Sequence, residues 1–268
     1  MNDTDIYNEI NSRIYLQAQH LSTFLVTCGL NAKEEDKIFQ ITLDVTLKLQ
    51  AMIYHLENYT RLDSEYQNEA MKHFCKFPNS RSNCCLLIHE LEAYLFQFKS
   101  SLDVAIKVLG VLLPNYFKTN TFGNKGNRFI KNLNAFKKNK QDRIELIDKM
   151  ILFIKDAQER WLNKIIDLRD TVSHHKSLGF FAYSVSENDG KIIVAKPTVL
   201  DLDPLIFMKE CFRTCMEFIQ DLISFSIILY LPPVFILAKP EVPTAWIESG
   251  SGQYIKYSLS LDPDKMSL

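Results

Sequence analysis

Apolar residues recur every three or four positions over much of this chain, the spacing that lays a single stripe along an α-helix. The stripe is plainest from Asp142 to His175, where Ile147, Ile151, Ile154, Trp161, Ile165, Leu168 and Val172 keep to that interval or its multiples. This segment reads as the longest helix and as one that faces a core. Helical spacing also covers Asp3 to Cys28, with Gly29 near its end, and Lys33 to about Asn58, where Ile38, Ile41, Val45, Leu49 and Met52 form the stripe. Asp63 to Phe74 continues or restarts that second helix. Cys85 to about Leu113 is rich in Leu, Phe and Ile, and Pro114 stops it. Arg128 to Lys137 makes a short basic helix, and Asp203-Pro204 opens a further one that runs to about Leu231.

The period changes after Gly179. Phe180-Phe-Ala-Tyr-Ser-Val and Lys191-Ile-Ile-Val-Ala alternate around Glu-Asn-Asp-Gly and read as two strands joined by a turn. Phe77-Pro-Asn-Ser-Arg-Ser-Asn and Asn115 to Gly126 read as loops. The tail from Lys239 to Leu268 holds two short apolar-polar runs that add strands. The expected fold is therefore mainly α, a helical bundle with a small β-hairpin insertion and short C-terminal strands. It is a single domain over 1–268, with an N-terminal helix at 3–28, a core at about 35–230 and an extension at 232–268.

Leu222 to Ala238 is 17 residues without a charge, fewer than the roughly 20 that span a bilayer, and Pro232-Pro233 breaks it. A buried helix ending at the prolines is the expectation, with no membrane partner. Eight Gly and nine Pro are few for 268 residues, which argues against a β-sandwich or a disordered chain. The six cysteines form no C-x-x-C pair, and Met1-Asn-Asp-Thr-Asp-Ile lacks a basic leader, so reduced thiols and a cytoplasmic location are expected.

Net charge is −1, but it is unevenly spread. Val104 to Gln141 contains no Asp or Glu and eight basic residues, which leaves about −9 on the rest. Within this basic stretch Phe122, Phe129 and Phe136 interleave with cations and asparagines. Cations attract phosphate, and exposed rings stack unpaired bases. The rival reading is a solvated helix face with the rings inside, and the seven-residue interval from Phe129 to Phe136 favours that for these two.

The candidate chemistry lies in Arg169-Asp-Thr-Val-Ser-His174-His175. Arg169 and His174 are separated by about 500°, or about 140° net, on a straight helix, so they do not share a face. Asp170 and His174 do, and Asp170 can orient the imidazole. Arg169 and His174 meet only if the helix ends between them or if a twofold dimer supplies facing copies. Arg and His suit RNA cleavage. A base takes the 2′-hydroxyl proton, an acid protonates the departing 5′-oxygen, and a guanidinium holds the extra charge on phosphorus. The scheme calls for no metal and no cofactor. As bare spacing the motif equally fits a solvated helix end that complements the dipole.

This segment resembles the R-x4–6-H motif of the HEPN superfamily, in which a polar residue often follows the Arg, here Asp170. Leu91-Glu-Ala-Tyr-Leu-Phe-Gln-Phe-Lys-Ser-Ser-Leu-Asp103 looks like an earlier helix of such proteins, and Phe122-Gly-Asn-Lys-Gly-Asn-Arg128 looks like a linker in prokaryotic ones. The resemblance covers about 35–230; the strands near 180–196 and the tail after Pro232 lie outside a minimal HEPN bundle. It implies a homodimer with the motif at a shared cleft, and a metal-independent endoribonuclease of the toxin or defence type, with a cognate antitoxin as a partner. Arg169, His174 and Asp170 would be catalytic, and Lys125, Arg128, Lys131, His175 and Lys176 would contact RNA. The alternative is a non-catalytic HEPN-like module that binds a nucleotide or a protein; the plain alternative is a helical scaffold.

Three further features are set against simpler readings. His73, Cys75, Cys84, Cys85 and His89 offer soft ligands, but their spacing fits no common zinc pattern. Cys211 and Cys215 read as buried core thiols. Glu90 or Glu92 is a candidate to pair with Arg169 across the bundle, against ordinary surface exposure. No Walker loop, G-x-G-x-x-G or nucleophile elbow is present.

Overall fold

Asn31 starts the first long helix by a reciprocal cap. Its Oδ1 accepts the Glu34 N–H at 3.0 Å, and its own N–H donates to Glu34 Oε2 at 3.2 Å. The protein is described by a computed structural model over residues 3–74, 81–118, 121–173, 181–189, 191–240 and 253–265. From that cap, α3 runs unbroken over Ala32–Phe74, 43 residues, so the Asp63 segment continues the second helix. This corrects the expectation that the helix after Asp142 is the longest.

Three shorter pieces precede α3: α1 (Asp3–Asn11), a π-helical turn (Ser12–Leu16) and α2 (Gln17–Ser22). The N-terminal helix thus ends at Ser22 and a turn carries the chain to Gly29, whose φ of +103° suits glycine. After α3 come β1 (Arg81–Asn83), α4 (Cys85–Ala105), α5 (Lys107–Leu112) and α6 (Asn127–Lys137). Next are α7 (Ile144–Ala157), a second π-helical turn (Gln158–Leu162) and α8 (Asn163–Ser173). Then follow β2 (Ala182–Asn188), β3 (Lys191–Ala195), α9 (Pro204–Tyr230), β4 (Phe235–Ala238) and β5 (Ser258–Leu261). The chain is mainly helical, with two small antiparallel sheets. Among the described residues no helix is long and apolar enough to cross a membrane.

The second π-helical turn has a visible effect on packing. It inserts one extra residue into the helical register. Ile147, Ile151 and Ile154 are buried before it, and Leu162, Ile165 and Ile166 after it. Trp161, expected on the stripe, is pushed to a half-buried position, where its ring meets Phe218 edge-on at 5.5 Å. Leu168 and Val172 are half-buried too.

The residues form two compact units. The first comprises Met1–Gln50, Lys99–Lys164 and Cys215–Leu268. Its interior is built by Ile10, Ile14 and Leu21, by Ile38, Val45 and Leu49 of α3, and by Phe122, Phe129, Phe136, Ile147 and Ile154 with the apolar face of α9. Gln17 is fully buried and ties down the tail. Its Nε2 donates to the Tyr257 carbonyl at 2.8 Å, and its Oε1 accepts the N–H groups of Lys256 (2.7 Å) and Tyr257 (3.0 Å). β4 and β5 pair here with Phe235 opposite Leu261, so the expected terminal strands form. One of them, β4, lies ahead of Lys239. Cys215 is an interior thiol, and burial pushes its pKa up to about 12.

The second unit comprises Ala51–Phe98 and Ile165–Thr214. Tyr59, Leu91, Tyr94, Phe98, Ile165 and Met208 are among its interior residues, and Tyr94 Oη donates to the Met208 carbonyl at 2.6 Å. The expected hairpin is present: Asn188 faces Lys191, and Asp189 takes φ +50° in the turn, as a primed two-residue turn demands. Along β2, Tyr183 and Val185 are buried while Ser184 and Ser186 are exposed. Residues 81–83, expected as loop, add a third strand, with Arg81 opposite Ser184. Asp203 caps α9 by accepting the N–H groups of Leu205 (2.8 Å) and Ile206 (3.4 Å).

Candidate functional site

Arg169 sits in the penultimate turn of α8, in the second unit. Its side chain is 27% exposed. Nη1 donates to Asp170 Oδ1 at 3.0 Å, and Cζ lies 4.9 Å from the ring centroid of Phe96 on α4. A guanidinium covered on one face by a ring and held by a carboxylate has few rotamers left. It is therefore unlike a freely solvated cation at a helix end.

Asp170 thus has a partner that its helical position did not disclose. Sequence geometry pointed it at His174, four residues on. In the structure its Oδ1 is taken by Arg169, its immediate neighbour. Glu90, a candidate counter-charge for Arg169, is held elsewhere: its carboxylate meets His55 Nδ1 at 2.7 Å. His174, His175 and Lys176 lie outside the described residues.

The helix itself narrows how Arg169 and His174 can cooperate. α8 is intact through Ser173, so no break falls between Arg169 and Ser173. Both routes open from sequence therefore remain, the first only as a turn at His174 itself and the second as a facing copy.

The basic segment belongs to the first unit. Phe122, Phe129 and Phe136 are all buried there, with Phe122 and Phe129 centroids 6.1 Å apart. The reading in which these rings stack on bases is therefore corrected: Phe129 and Phe136 are core because α6 turns its apolar face inward, and Phe122 is buried beside Phe129. Asp103 Oδ1 accepts the Phe122 N–H at 2.6 Å and also takes the Lys99 ammonium. Gln158, in the π-helical turn, donates to the Lys125 carbonyl at 2.6 Å and to Asn127 Oδ1 at 3.2 Å. Gly126 has φ +86°, and a Cβ there would lie 2.8 Å from the Phe122 ring. Lys125 is half-buried; Arg128 and Lys131 are exposed. Lys137 is bound to Asp148 at 2.6 Å. Cations remain on this surface, but the aromatic half of a nucleic-acid platform is absent among the described residues.

A second cluster had no sequence signal. Asp63 is 4% exposed, yet its carboxylate receives the Tyr183 hydroxyl, Gln67 Nε2 at 2.6 Å and Lys196 Nζ at 3.0 Å. Lys196 also lies 3.6 Å from Asp203. Its pKa is raised: burial works to lower it, and the two carboxylates outweigh burial. Burial and Asp63 likewise push both Tyr59 and Tyr183 far up. Three donors hold the Asp63 carboxylate and burial keeps both phenols neutral, so the cluster reads as a structural tie. Among the described residues, no group of three or more His, Cys, Asp or Glu is arranged to hold a metal, and Cys75 lies outside them.

Comparison with family models, with curated proteins and with solved structures finds no match to this chain.

Proposed function

We propose that the protein is an HEPN-like endoribonuclease that cleaves single-stranded RNA without a metal, with Arg169, Asp170 and His174 as its working residues. The observation that carries this reading is the guarded guanidinium of Arg169, clamped by Asp170 at 3.0 Å and Phe96 at 4.9 Å, five residues before His174. A solvated helix-end cation needs no such clamp. A group that must meet a phosphate in one geometry does.

The 2′-hydroxyl attacks the adjacent phosphorus, and its proton goes to a base. The bond to the 5′-oxygen breaks, and an acid supplies that oxygen with a proton. A 2′,3′-cyclic phosphate and a 5′-hydroxyl result. His174 is assigned proton transfer and Arg169 the charge on phosphorus. Asp170 fixes Arg169 through Oδ1. Two copies of the chain facing across a twofold axis bring one copy's Arg169 to the other's His174. Arg128, Lys131 and Lys125, with His175 and Lys176, are assigned RNA backbone contacts.

Purified protein in EDTA is expected to cut a labelled single-stranded RNA and leave a 2′,3′-cyclic phosphate. Loss in both Arg169→Ala and His174→Ala supports the reading; full activity in both variants sinks it. Binding of RNA or a nucleotide without any cleavage transfers the case to a non-catalytic HEPN-like module.

A further inference from the structure

Two cavities of the first unit share three lining residues. The larger, about 690 Å³, is lined by the start of α7, the end of α9 and β4, and the smaller, about 230 Å³, by residues that include Phe136, Lys140 and Tyr230. Asp142, Arg143 and Pro233 line both. Arg143 is 7% exposed. Its Nη2 is shielded from water and has no hydrogen-bond partner, and Arg143 takes part in none of the ion pairs among the described residues. Burial lowers its pKa against the opposing pull of Asp142, yet a guanidinium stays charged at neutral pH. A buried cation without a hydrogen-bonded counter-ion is costly, and the cost is relieved when a ligand supplies one.

The larger cavity has a second electropositive feature. Ile144, Glu145 and Leu146 form the first turn of α7 and line it. No side chain caps that turn, so the positive end of the helix dipole faces the same space. Phe225, Ile228 and Phe235 also line it. The volume falls within the roughly 300–1,000 Å³ of small-molecule sites.

We infer that this cavity binds a small organic monocarboxylate, its carboxylate on Arg143 and the α7 N-terminus and its apolar body against Phe225, Ile228 and Phe235. Charge decides the class. Lys149 and Lys265 join Arg143 on the lining, and Asp142, Glu145 and Asp262 offset them. A phosphate dianion would meet these carboxylates with twice the charge that one unpaired guanidinium neutralises. A single negative charge matches it.

Titration of the 268-residue chain with octanoate and with 4-phenylbutyrate, followed by calorimetry and amide spectra, tests this. Saturable binding of at least one acid is expected, with shifts confined to Arg143–Leu146 and the facing end of α9. 1-Octanol should bind at least about tenfold more weakly, the loss of one charge-assisted contact. Arg143→Gln should abolish binding. Ile236→Asp, at a half-exposed lining position of β4, should weaken octanoate at least about fivefold without moving the thermal midpoint, and it keeps the test independent of whether Arg143→Gln folds. No saturable binding of either acid up to about 10 mM would overturn the inference. So would equal binding of 1-octanol, tighter binding of inorganic phosphate, or unchanged binding in a folded Arg143→Gln variant.

Discussion

Tyr183 donates its hydroxyl proton to the buried carboxylate of Asp63, 120 positions away in the chain. One residue is on α3 and the other on β2. Through Lys196, which reaches Asp63 and then Asp203, the same carboxylate is linked to the cap of α9. A single aspartate therefore joins a helix, a sheet and a second helix start within the second unit. A carboxylate at that depth is tolerable because Tyr183, Gln67 and Lys196 all supply protons to it.

Asp63→Ala should cost about 2–4 kcal/mol in urea unfolding, because it strands the buried Tyr183 hydroxyl and leaves the half-buried Lys196 ammonium only the more distant Asp203. Tyr183→Phe removes one donor and leaves the Lys196 and Gln67 contacts, so about 1–3 kcal/mol is expected. The double variant should cost less than the sum. Strict additivity would show that the groups do not act as a unit.

The same cluster sets the alkaline limit of stability. The pKa values of Lys196, Tyr59 and Tyr183 are all raised in the folded state. A raised pKa contributes stability that is complete below the unfolded value and lost as pH rises toward the folded one. The ordinary values are 10.0 for tyrosine and 10.5 for lysine, so the contribution is complete at neutral pH and falls above about pH 10. Thermal midpoints measured from pH 7 to 11 should be level at first and then drop. In Lys196→Met the midpoint at pH 7 should be lower, and its gap to the parent should narrow above pH 10.5.

Tyr59 behaves in the opposite sense to Tyr183. It is fully buried and its hydroxyl has no hydrogen-bond partner. Tyr59→Phe removes a polar atom that the fold does not satisfy, so stability should be unchanged or higher by about 1 kcal/mol. A loss above about 1 kcal/mol in chemical denaturation would mean that the hydroxyl makes a contact of its own.

Much of the helical architecture was legible in the spacing of apolar residues. Burial along α3, α6 and α9 follows it, and the Asp203-Pro204 pair marked the start of α9 because its cap is local. Two kinds of feature were not legible. The π-helical turn at Gln158–Leu162 carries no distinctive residue, and it moves burial from Trp161 to Leu162. The Asp63 cluster depends on pairings across 120 and 133 positions, which periodicity does not register. At the candidate site, the Arg169 position was readable from its motif. Its partners were not: Phe96 is brought in by tertiary packing, and Asp170 reaches back to its neighbour instead of forward along the helix.

Substitutions at the Arg169 clamp separate a working guanidinium from a structural ion pair. Arg169→Lys keeps the charge and loses the planar fork, so RNA cleavage should fall by about 10²–10³-fold. Phe96→Leu keeps the charge and the Asp170 contact but removes the ring beneath Cζ, worth about 0.5–1 kcal/mol, so a fall of about two- to fivefold is expected. Both substitutions lie at partly exposed positions, and unfolding free energies should change by less than about 1 kcal/mol. Single-turnover rates at saturating RNA, read beside urea midpoints, test the two together. If Arg169→Lys cleaves as fast as the parent while its midpoint drops, the guanidinium serves the fold and not the phosphate.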